Sequence, residues 1–522
     1  MEALLNPPQL QIELAGKPLA AGDAQYLTEL QVSERLSLPS QCELAFQGLP
    51  DLLGDLASLA DGTELIVRTG PDRCLFQGNI TALEYEFAPG NNLGLRIRAY
   101  DRLHSLRQRQ APRSYVDLTV TELAATLVGD LDIAVAADET GPIWRLIMQH
   151  EQSDLELLAE FAERAGLYFH LRDSVLQFAS LAGHPGNPVL KLGENLLEAK
   201  IEANSGRSRQ AVTNLAWDPW QAAARRGRAD TARCGRRLAA DTAFHADSAP
   251  EFTSTDDSVQ DDNQAEAYAQ AQLDHRTAAE TVFWGIAAGN PELMPGLAVK
   301  LDGLSGPVNG QYVLSAVTHR FDSRQGYVCE LDSAPPPLRP RKRATLATVG
   351  VVTRVDDPDG LGRVKAMLPS YGELETDWIE VACAGAGKGK GLLLLPSLGD
   401  KVLLALIRED PAQAIVIGGL YGDSPLPDDA VVDADIGRYF LSTPGGQRIS
   451  LDDSERSIRL QTQSGQQVEL QPDKIRLQLD SGSFFELADN GTRLHAEADL
   501  DIEAPGRTIT IRGRAINFEQ KS

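Results

Sequence analysis

The eight histidines are the first residues that could bind a metal ion or transfer a proton. They are His104, His150, His170, His184, His245, His275, His319 and His495. No two of them form H-x-H or H-x-x-x-H, the spacings that place two imidazoles on one metal ion. We therefore predict no metal site.

A glycine-rich stretch, Gly385–Gly391 (Gly-Ala-Gly-Lys-Gly-Lys-Gly), is the best candidate for a phosphate-binding loop. A P-loop requires G-x-x-x-x-G-K-[ST] followed by a helix, and neither feature is present. The stretch is more typical of a flexible loop, whose Lys388 and Lys390 could face an acidic neighbour. We predict no bound cofactor.

The sequence also contains no local motif that marks a catalytic carboxylate or nucleophile. With 74 acidic residues, solvated charge is the default interpretation of any carboxylate pair. No G-x-S-x-G elbow occurs. The acidic run Asp356–Gly360 fails the calcium-loop pattern at Pro358 and reads as a turn. The chain is predicted not to be an enzyme, with no catalytic residue.

The five cysteines are scattered and form no C-x-x-C pair. They are Cys42, Cys74, Cys234, Cys329 and Cys383. An odd number at irregular spacing suggests neither a disulfide framework nor a cysteine zinc site.

A basic cluster could bind nucleic acid. It comprises Arg207, Arg209, Arg225, Arg226 and Arg228, with Trp217 and Trp220 between them. The net charge of -25 and a pI of about 4.8 oppose a nucleic-acid partner. Two interpretations stay open for this polar segment, residues 205–262: a contact surface for a neighbouring protein, or a solvated surface loop.

The length of 522 residues allows three or four domains. The amino terminus has no basic and apolar signal-peptide pattern, and no stretch approaches about 18 apolar residues. We expect a protein made in a reducing bacterial cytoplasm that leaves, if it does, by another route than general secretion.

The carboxy-terminal stretch from Gly445 to Phe518 shows strict alternation. Apolar pairs recur with one residue between their members: Ile449/Leu451, Ile458/Leu460, Val468/Leu470, Ile475/Leu477/Leu479, Phe485/Leu487, Leu494/Ala496, Leu500/Ile502, Ile509/Ile511 and Ile516/Phe518. Period two places each pair on one face of a strand. Such a ladder is one layer thick and cannot bury its apolar face alone, which predicts an intertwined oligomeric β-prism.

The rest of the chain reads as mostly β with a few helices. Capping-box patterns at Thr119-x-x-Glu122 and Ser153-x-x-Glu156 predict two helices, the second over Asp154–Ala165, and Asn263–Glu280 is a third. Strands are predicted at 10–14, 65–67, 83–87, 95–100, 167–171, 297–301 and 311–317. After a Pro- and Arg-rich linker, six short strands predict a small barrel: 349–355, 363–368, 378–382, 391–395, 401–407 and 414–420.

The order of these parts resembles the hub-and-spike proteins of contractile injection machines, including the VgrG proteins of type VI secretion. The resemblance covers nearly the whole chain. It is carried by Ser153–Phe169, by Gly310-Gln311-Tyr312 with Val317-Thr318-His319, by Asp359–Lys365, by Leu395–Val402 with Val416–Tyr421, and by Ser442–Gln447 with Leu451-Asp452-Asp453.

The resemblance implies a fold class and a division into domains. The fold is mostly β: a hub of β-barrel domains with helical insertions, an OB-fold barrel, and a carboxy-terminal intertwined triple-stranded β-helix or prism in a trimer. The predicted segments are the hub with two barrel-like subdomains (1–333), a linker (334–344), the OB barrel (345–422), a second linker (423–439) and the spike (440–522).

The same resemblance implies function and partners. We expect a homotrimeric central spike that adapts a hexameric tube to a three-fold needle and punctures the target envelope. Its expected partners are the tube protein, baseplate proteins, a PAAR-type tip protein and effectors, with the target membrane contacted only on puncture. The alternatives are a type VI VgrG or a phage baseplate spike and, from another class, a cell-wall hydrolase or a glycan-binding module.

Three features narrow the expected subclass. The gap between barrel and needle is too short for a lysozyme domain, no toxin domain follows the last apolar pair, and the needle is short. They favour an extracellular, phage-tail-like particle, released or envelope-directed.

Overall fold

The computed structural model describes residues 10–49, 56, 59–70, 73–89, 92–204, 206, 208–218, 223–234, 251–255, 259, 261–304, 308–339, 346–426, 431–432 and 435–520. Of the residues discussed above, Arg207, Trp220 and His245 lie outside these ranges, as do residues 340–344 of the first linker and residues 427–430 and 433–434 of the second. The chain divides into two compact units, residues 1–420 and 421–522.

The first part of the hub is an antiparallel barrel-like sheet with one short helix. Its elements are β1 Leu10–Leu14, β2 Lys17–Pro18, α1 Ala21–Ala24, β3 Leu27–Arg35, β4 Gln41–Leu49, β5 Glu64–Thr69, β6 Arg73–Ala88 and β7 Asn92–Tyr100. Alternate residues of each strand point inward, as Cys42, Leu44 and Phe46 do on β4, and form one apolar core.

A mixed α/β insertion follows. Its elements are α2 Ser105–Gln108, β8 Arg113–Leu118, α3 Val120–Val128, β9 Ala134–Ala137, β10 Trp144–Gln149, α4 Asp154–Arg164, β11 Leu167–Arg172 and β12 Val175–Ser180. Both predicted capping boxes form, Thr119 with Glu122 and Ser153 with Glu156. The apolar faces of α3 and α4 share a core with Phe169 and Phe178 of β11 and β12.

The second part of the hub is also mostly β-strands and has an apolar core of its own. Its elements are β13 Val189–Lys191, β14 Leu196–Ala203, β15 Val212–Asp218, β16 Ala223–Ala229, β17 Phe252–Thr255, α5 Asp262–Ala278, β18 Thr281–Ala288, β19 Ala298–Asp302, β20 Gly310–Val313, β21 Ala316–Asp322 and β22 Gly326–Asp332. One 11-stranded sheet, in the order β14-β18-β22-β21-β3-β4-β7-β6-β5-β1-β2, spans both cores. Strands β21 and β3 form the seam between them.

The small barrel has six strands in the order β25-β24-β23-β27-β28-β26. They are β23 Ala347–Arg354, β24 Lys365–Leu368, β25 Leu374–Glu375, β26 Glu380–Val381, β27 Lys401–Leu406 and β28 Ala414–Leu420. Its core includes Leu146 and Met148 of β10, so the hub insertion contributes directly to the barrel interior.

The second unit is a set of short antiparallel strands. They are β29 Val431–Val432, β30 Asp435–Ile436, β31 Arg438–Ser442, β32 Arg448–Asp452, β33 Ser457–Gln461, β34 Gln467–Gln471, β35 Lys474–Gln478, β36 Phe484–Ala488 and β37 Gly491–His495. Strands β31–β37 form a seven-stranded sheet in chain order. The fold class is confirmed as mostly β.

Several local predictions were wrong. Residues 391–395 form no strand, and the predicted strand 311–317 is divided between β20 and β21. The supposed loop segment 205–262 contains β15, β16 and β17, a sheet packed on α5. The last predicted pairs, from Leu500 to Phe518, lie in no strand of the described chain.

Candidate functional site: the exposed apolar face of the carboxy-terminal sheet

Each strand of the carboxy-terminal sheet pairs with the next strand of the same chain. The turns that join them are short: Pro472-Asp473 links β34 to β35, and Asp489-Asn490 links β36 to β37. Tight turns fix the register, so residues on the same face stay aligned across all seven strands.

The aligned apolar residues form two files across one face of the sheet. The first file is Leu441, Ile449, Leu460, Val468, Leu477, Phe485 and Leu494, and the second is Tyr439, Leu451, Ile458, Leu470, Ile475 and Leu487. We call this surface the apolar face. Central members remain open to solvent: Leu460 is 42% exposed and Ile475 is 45% exposed.

The opposite face carries an alternating file of charges. Across β33–β37 it runs Arg459, Glu469, Arg476, Glu486 and Arg493. The guanidinium of Arg459 lies 2.5 Å from the Glu469 carboxylate, and Arg476 lies 3.0 Å from Glu486. The hydrogen bond from Arg459 lowers the pKa of Glu469.

A sheet usually buries its apolar face and exposes its charged face, and the carboxy-terminal sheet does the reverse. The side chains of Glu469 and Glu486 are 8% and 14% exposed, whereas the leucines and isoleucines of the apolar face are about 40% exposed. The first apolar file lines an open trough of about 670 Å³. A contiguous exposed apolar surface of this kind is typical of an interaction site.

The structure describes seven of the eight histidines, all except His245. Among the described residues, no group of three His, Cys, Asp or Glu side chains is arranged to hold a metal ion. His170 and His184 contact each other edge to face with ring centroids 5.9 Å apart, and His319 is fully buried in the hub. His150 packs against Tyr371 of the small barrel.

His319 is instead part of a buried polar cluster at the seam of the hub. Its Nδ1 lies 2.9 Å from the Tyr327 hydroxyl and 3.3 Å from Cys329 Sγ, and its Nε2 lies 3.5 Å from the Glu34 carboxylate. Burial disfavours the charged ring, but Cys329 and Glu34 raise the pKa of His319 to about 10. The cluster ties β3 to β21 and is closed to solvent.

Two arginines of the basic cluster, Arg225 and Arg228, pair with neighbouring acids. Arg225 pairs with Asp262 at 3.4 Å, and Arg228 pairs with Asp230 and Glu251 at 3.1 and 2.9 Å. These pairs lie on the sheet of β15–β17 next to α5. The arrangement gives no free cationic surface at these two arginines for a nucleic acid.

The glycine-rich stretch 385–391 is an exposed turn between β26 and β27, with paired backbone groups at Gly387 and Lys390. No helix follows it, because the next element is β27.

Sequence reasoning missed one buried ion pair. Asp357 and Arg363, with side chains 3% and 4% exposed, form a bidentate pair at 2.7 and 3.1 Å. Asp357 also accepts hydrogen bonds from the backbone N–H groups of Asp359 and Leu361. The spacing of an acid and an arginine across a Gly-containing turn was the available signal.

Within the described ranges, no helix is long and apolar enough to cross a lipid bilayer. Residues 33–325 match the family model described as phage tail baseplate hub (GPD), and this match covers more than half of the chain. The chain belongs to the phage tail baseplate hub family. Residues 348–421 match a second model, the type VI secretion system/phage-baseplate injector OB domain, which identifies the small barrel as the OB domain.

Relatives of this hub family protein include type VI components. The chain is 23% identical over 424 residues to the type VI secretion system spike protein VgrG4b of Pseudomonas aeruginosa, covering 71% of this chain and 51% of that protein. The chain thus aligns with about half the length of that curated relative.

Solved structures show the same fold. A type VI component of E. coli, c3393, described as similar to the phage T4 tail proteins gp27 and gp5, aligns with a TM-score of 0.51 at 14% identity over 76% of this chain and 96% of its own. A Francisella PdpA–VgrG complex aligns with a TM-score of 0.52 at 9% identity over 95% of this chain and 90% of its own. The predicted resemblance is confirmed: the chain is a VgrG-like, phage-baseplate hub-spike protein.

Proposed function

We propose that this hub-spike protein is the homotrimeric central spike of a contractile injection machine and that it punctures the target envelope. The observation that supports this proposal is the reversed burial of the carboxy-terminal sheet, whose apolar face is its more exposed one. Two further copies of the same sheet would cover that face and leave the charged faces outward.

Covering the apolar face would supply a large stabilisation. Fully burying a Leu or Ile side chain contributes about 1.5–3 kcal/mol. The face carries a dozen side chains that are roughly half exposed, so the gain is on the order of 10 kcal/mol per chain. That gain would make a stiff column suited to axial load, with the Arg–Glu pairs bracing each outer face.

The hub would match this three-fold column to a tube of six subunits. Each chain carries two barrel-like cores within one continuous sheet. Three chains would therefore present six similar barrels in a ring, one for each subunit of a hexameric tube. Baseplate proteins, a PAAR-type tip protein and effectors complete the proposed set of partners.

The apolar pairs between Leu500 and Phe518 have a place in this proposal. In the single chain they are exposed and lie in no strand; Ile502 is 62% exposed and Phe518 is 89% exposed. We propose that three copies of this segment wrap together as the intertwined part of the needle.

A matched pair of variants tests the proposal. Leu460→Asp places a charge on the apolar face, whereas Gln461→Asp changes its neighbour on the other face of β33. We expect the wild type and Gln461→Asp to be SDS-resistant trimers at room temperature and Leu460→Asp to lose that resistance. A wild-type monomer that dissolves in mild SDS would contradict the proposal.

We propose further that the chain is a structural protein and not an enzyme. Incubation with peptidoglycan should release no muropeptides, and their release would instead favour the hydrolase. A glycan array should show no binding that survives deletion of residues 440–522. The subclass, an extracellular particle, stays a prediction that neighbouring sheath, tube and ATPase genes without a membrane-complex gene would support.

A further inference from the structure

The OB domain exposes a run of leucines between β26 and β27. Leu392, Leu393, Leu394 and Leu395 are 49%, 74%, 53% and 43% exposed. We call Gly391–Leu395 the leucine segment. Monomeric proteins rarely expose contiguous apolar groups of this kind, and the neighbouring Leu361 is 65% exposed as well.

The backbone of the leucine segment is also open. The N–H of Leu392 donates to the Ala384 carbonyl at 2.9 Å. Among the described residues, the N–H and C=O groups of Leu393, Leu394 and Leu395 have no hydrogen-bond partner. Apolar composition predicts a strand here, yet no strand of the described part of the chain pairs with it.

A run of apolar residues with free backbone groups is a template for pairing with another chain. The segment between Gly391 and Leu398 contains no charged residue. Its partner must therefore supply an unpaired strand edge and an apolar surface.

We propose that the leucine segment pairs as a strand with the OB domain of a second copy of this chain. This inference rests on the proposed trimer. The OB domain ends at Leu420 and β31 begins at Arg438, so the intervening chain spans at most about 60 Å. If three sheets share one core, such tethers keep the OB domains at roughly millimolar effective concentration.

Cross-linking in the full-length protein tests this inference. The photoreactive residue p-benzoylphenylalanine replaces Leu393 in one preparation and Val116, an exposed residue of the hub insertion, in a control. Mixing ¹⁴N- and ¹⁵N-labelled chains before assembly identifies products formed between chains. We expect a product at position 393 whose mixed-isotope peptides map to residues 346–420 of the second chain, and no such product at position 116.

A backbone variant gives a second readout. Proline cannot donate a hydrogen bond to a neighbouring strand. Leu394→Pro should therefore lower the temperature at which the trimer dissociates in SDS, whereas Leu394→Val should leave it close to the wild-type value.

The two proposals fail in different ways. A trimer without the 393 cross-link, or one cross-linked only to the hub or to another protein, would overturn this inference and leave the proposed function intact. A monomer would contradict the proposed function itself.

Discussion

At the scale of single residues, Asp357 is the side chain for which the structure changes the interpretation most. From the sequence it was expected to be an ordinary acidic residue of a turn. Asp357 begins the turn after β23, and its carboxylate is enclosed by the Arg363 guanidinium and by backbone N–H groups of the turn. These hydrogen bonds hold the pKa of Asp357 well below its usual range. The conformation of the turn is therefore stabilised by an ionised carboxylate that its own backbone and Arg363 surround.

Removing that charge should destabilise the OB domain. Asp357→Asn leaves the buried Arg363 with only the exposed Asp359 carboxylate as counter-ion, which should cost about 1.5–3 kcal/mol. Urea denaturation at pH 7 would measure the loss. Since the folded pKa is depressed, the stabilisation is present above about pH 4 and is lost as the pH falls further, so the gap between variant and wild type should narrow in acid.

The adjacent exposed pair supplies the control. Asp356, whose side chain is 69% exposed, pairs with Arg354 on the surface. Asp356→Asn should change the denaturation curve little or not at all, because exposed ion pairs are screened by solvent. Equal effects of the two variants would contradict the role given to Asp357.

His170 should make the hub sensitive to acid. Burial lowers the pKa of His170 to about 4, and neither ring nitrogen has a hydrogen-bond partner in the part of the chain that the structure describes. The charged groups that face it are Glu34, His184 and Arg172. Because the folded state binds this proton less readily than the unfolded state does, the contribution of His170 to stability should fall by about 3 kcal/mol as the pH drops from 6.5 to 4.

Replacing the ring tests this prediction. His170→Phe should flatten that part of the curve of unfolding free energy against pH, whereas His495→Gln, at an exposed position of the other unit, should not. If the curve of His170→Phe matches that of the wild type, His170 is not the group that titrates.

At the scale of elements, the sequence predicted best those features that are set by local hydrogen bonding and side-chain period. Both capping boxes begin helices where Thr119 and Ser153 indicated, and the alternation after Ile449 appears as strands through Leu494. The Asp357–Arg363 pair was not predicted, because the identity of the residues that meet across a turn depends on its three-dimensional path.

The wrong predictions have physical causes too. Residues 391–395 have the amino-acid composition of a strand, but within the described part of a single chain no other strand pairs with them. Residues 205–262 looked like a loop because several of the residues that point into the core have small side chains. Gly227 on β16 is an example: it contributes by letting the backbone of α5 pack closely, and not by burying a large side chain. An added Cβ at Gly227 would lie 2.1 Å from the Ala265 backbone of α5.

Gly227 should therefore tolerate no side chain. Gly227→Ala forces α5 away from β16, and overpacking of this kind costs about 1–3 kcal/mol. Gly22→Ala is the matched control in the hub, since an added Cβ there meets nothing within 4 Å. Thermal unfolding should separate the two variants by several degrees, and similar melting temperatures would contradict the predicted packing.

At the scale of the molecule, the hub insertion and the OB domain of the first unit share one apolar core. Leu146 and Met148 of the hub insertion lie in the OB core, and Arg145 pairs with Asp377 of the OB domain. A shared core holds two domains together more firmly than a linker does, so we expect force applied to the OB domain to reach the hub directly.

The charge of the assembly follows from the same proposal. At -25 per chain, three copies would carry about -75, which favours solubility until the needle is loaded. Repulsion of this size must be outweighed by the apolar face, whose burial gain does not weaken as salt screens the charges. Raising the salt concentration should therefore strengthen the trimer, and dissociation at high salt would contradict an apolar interface.

The most direct test of the central claim is the native mass of the full-length protein in dilute solution. If the apolar face is covered by two further copies, native mass spectrometry should give three times the chain mass of 56.5 kDa, about 170 kDa, and Leu460→Asp should shift the population toward the single chain. A wild-type protein that stays at 56.5 kDa, with its carboxy-terminal sheet folded, would contradict the account.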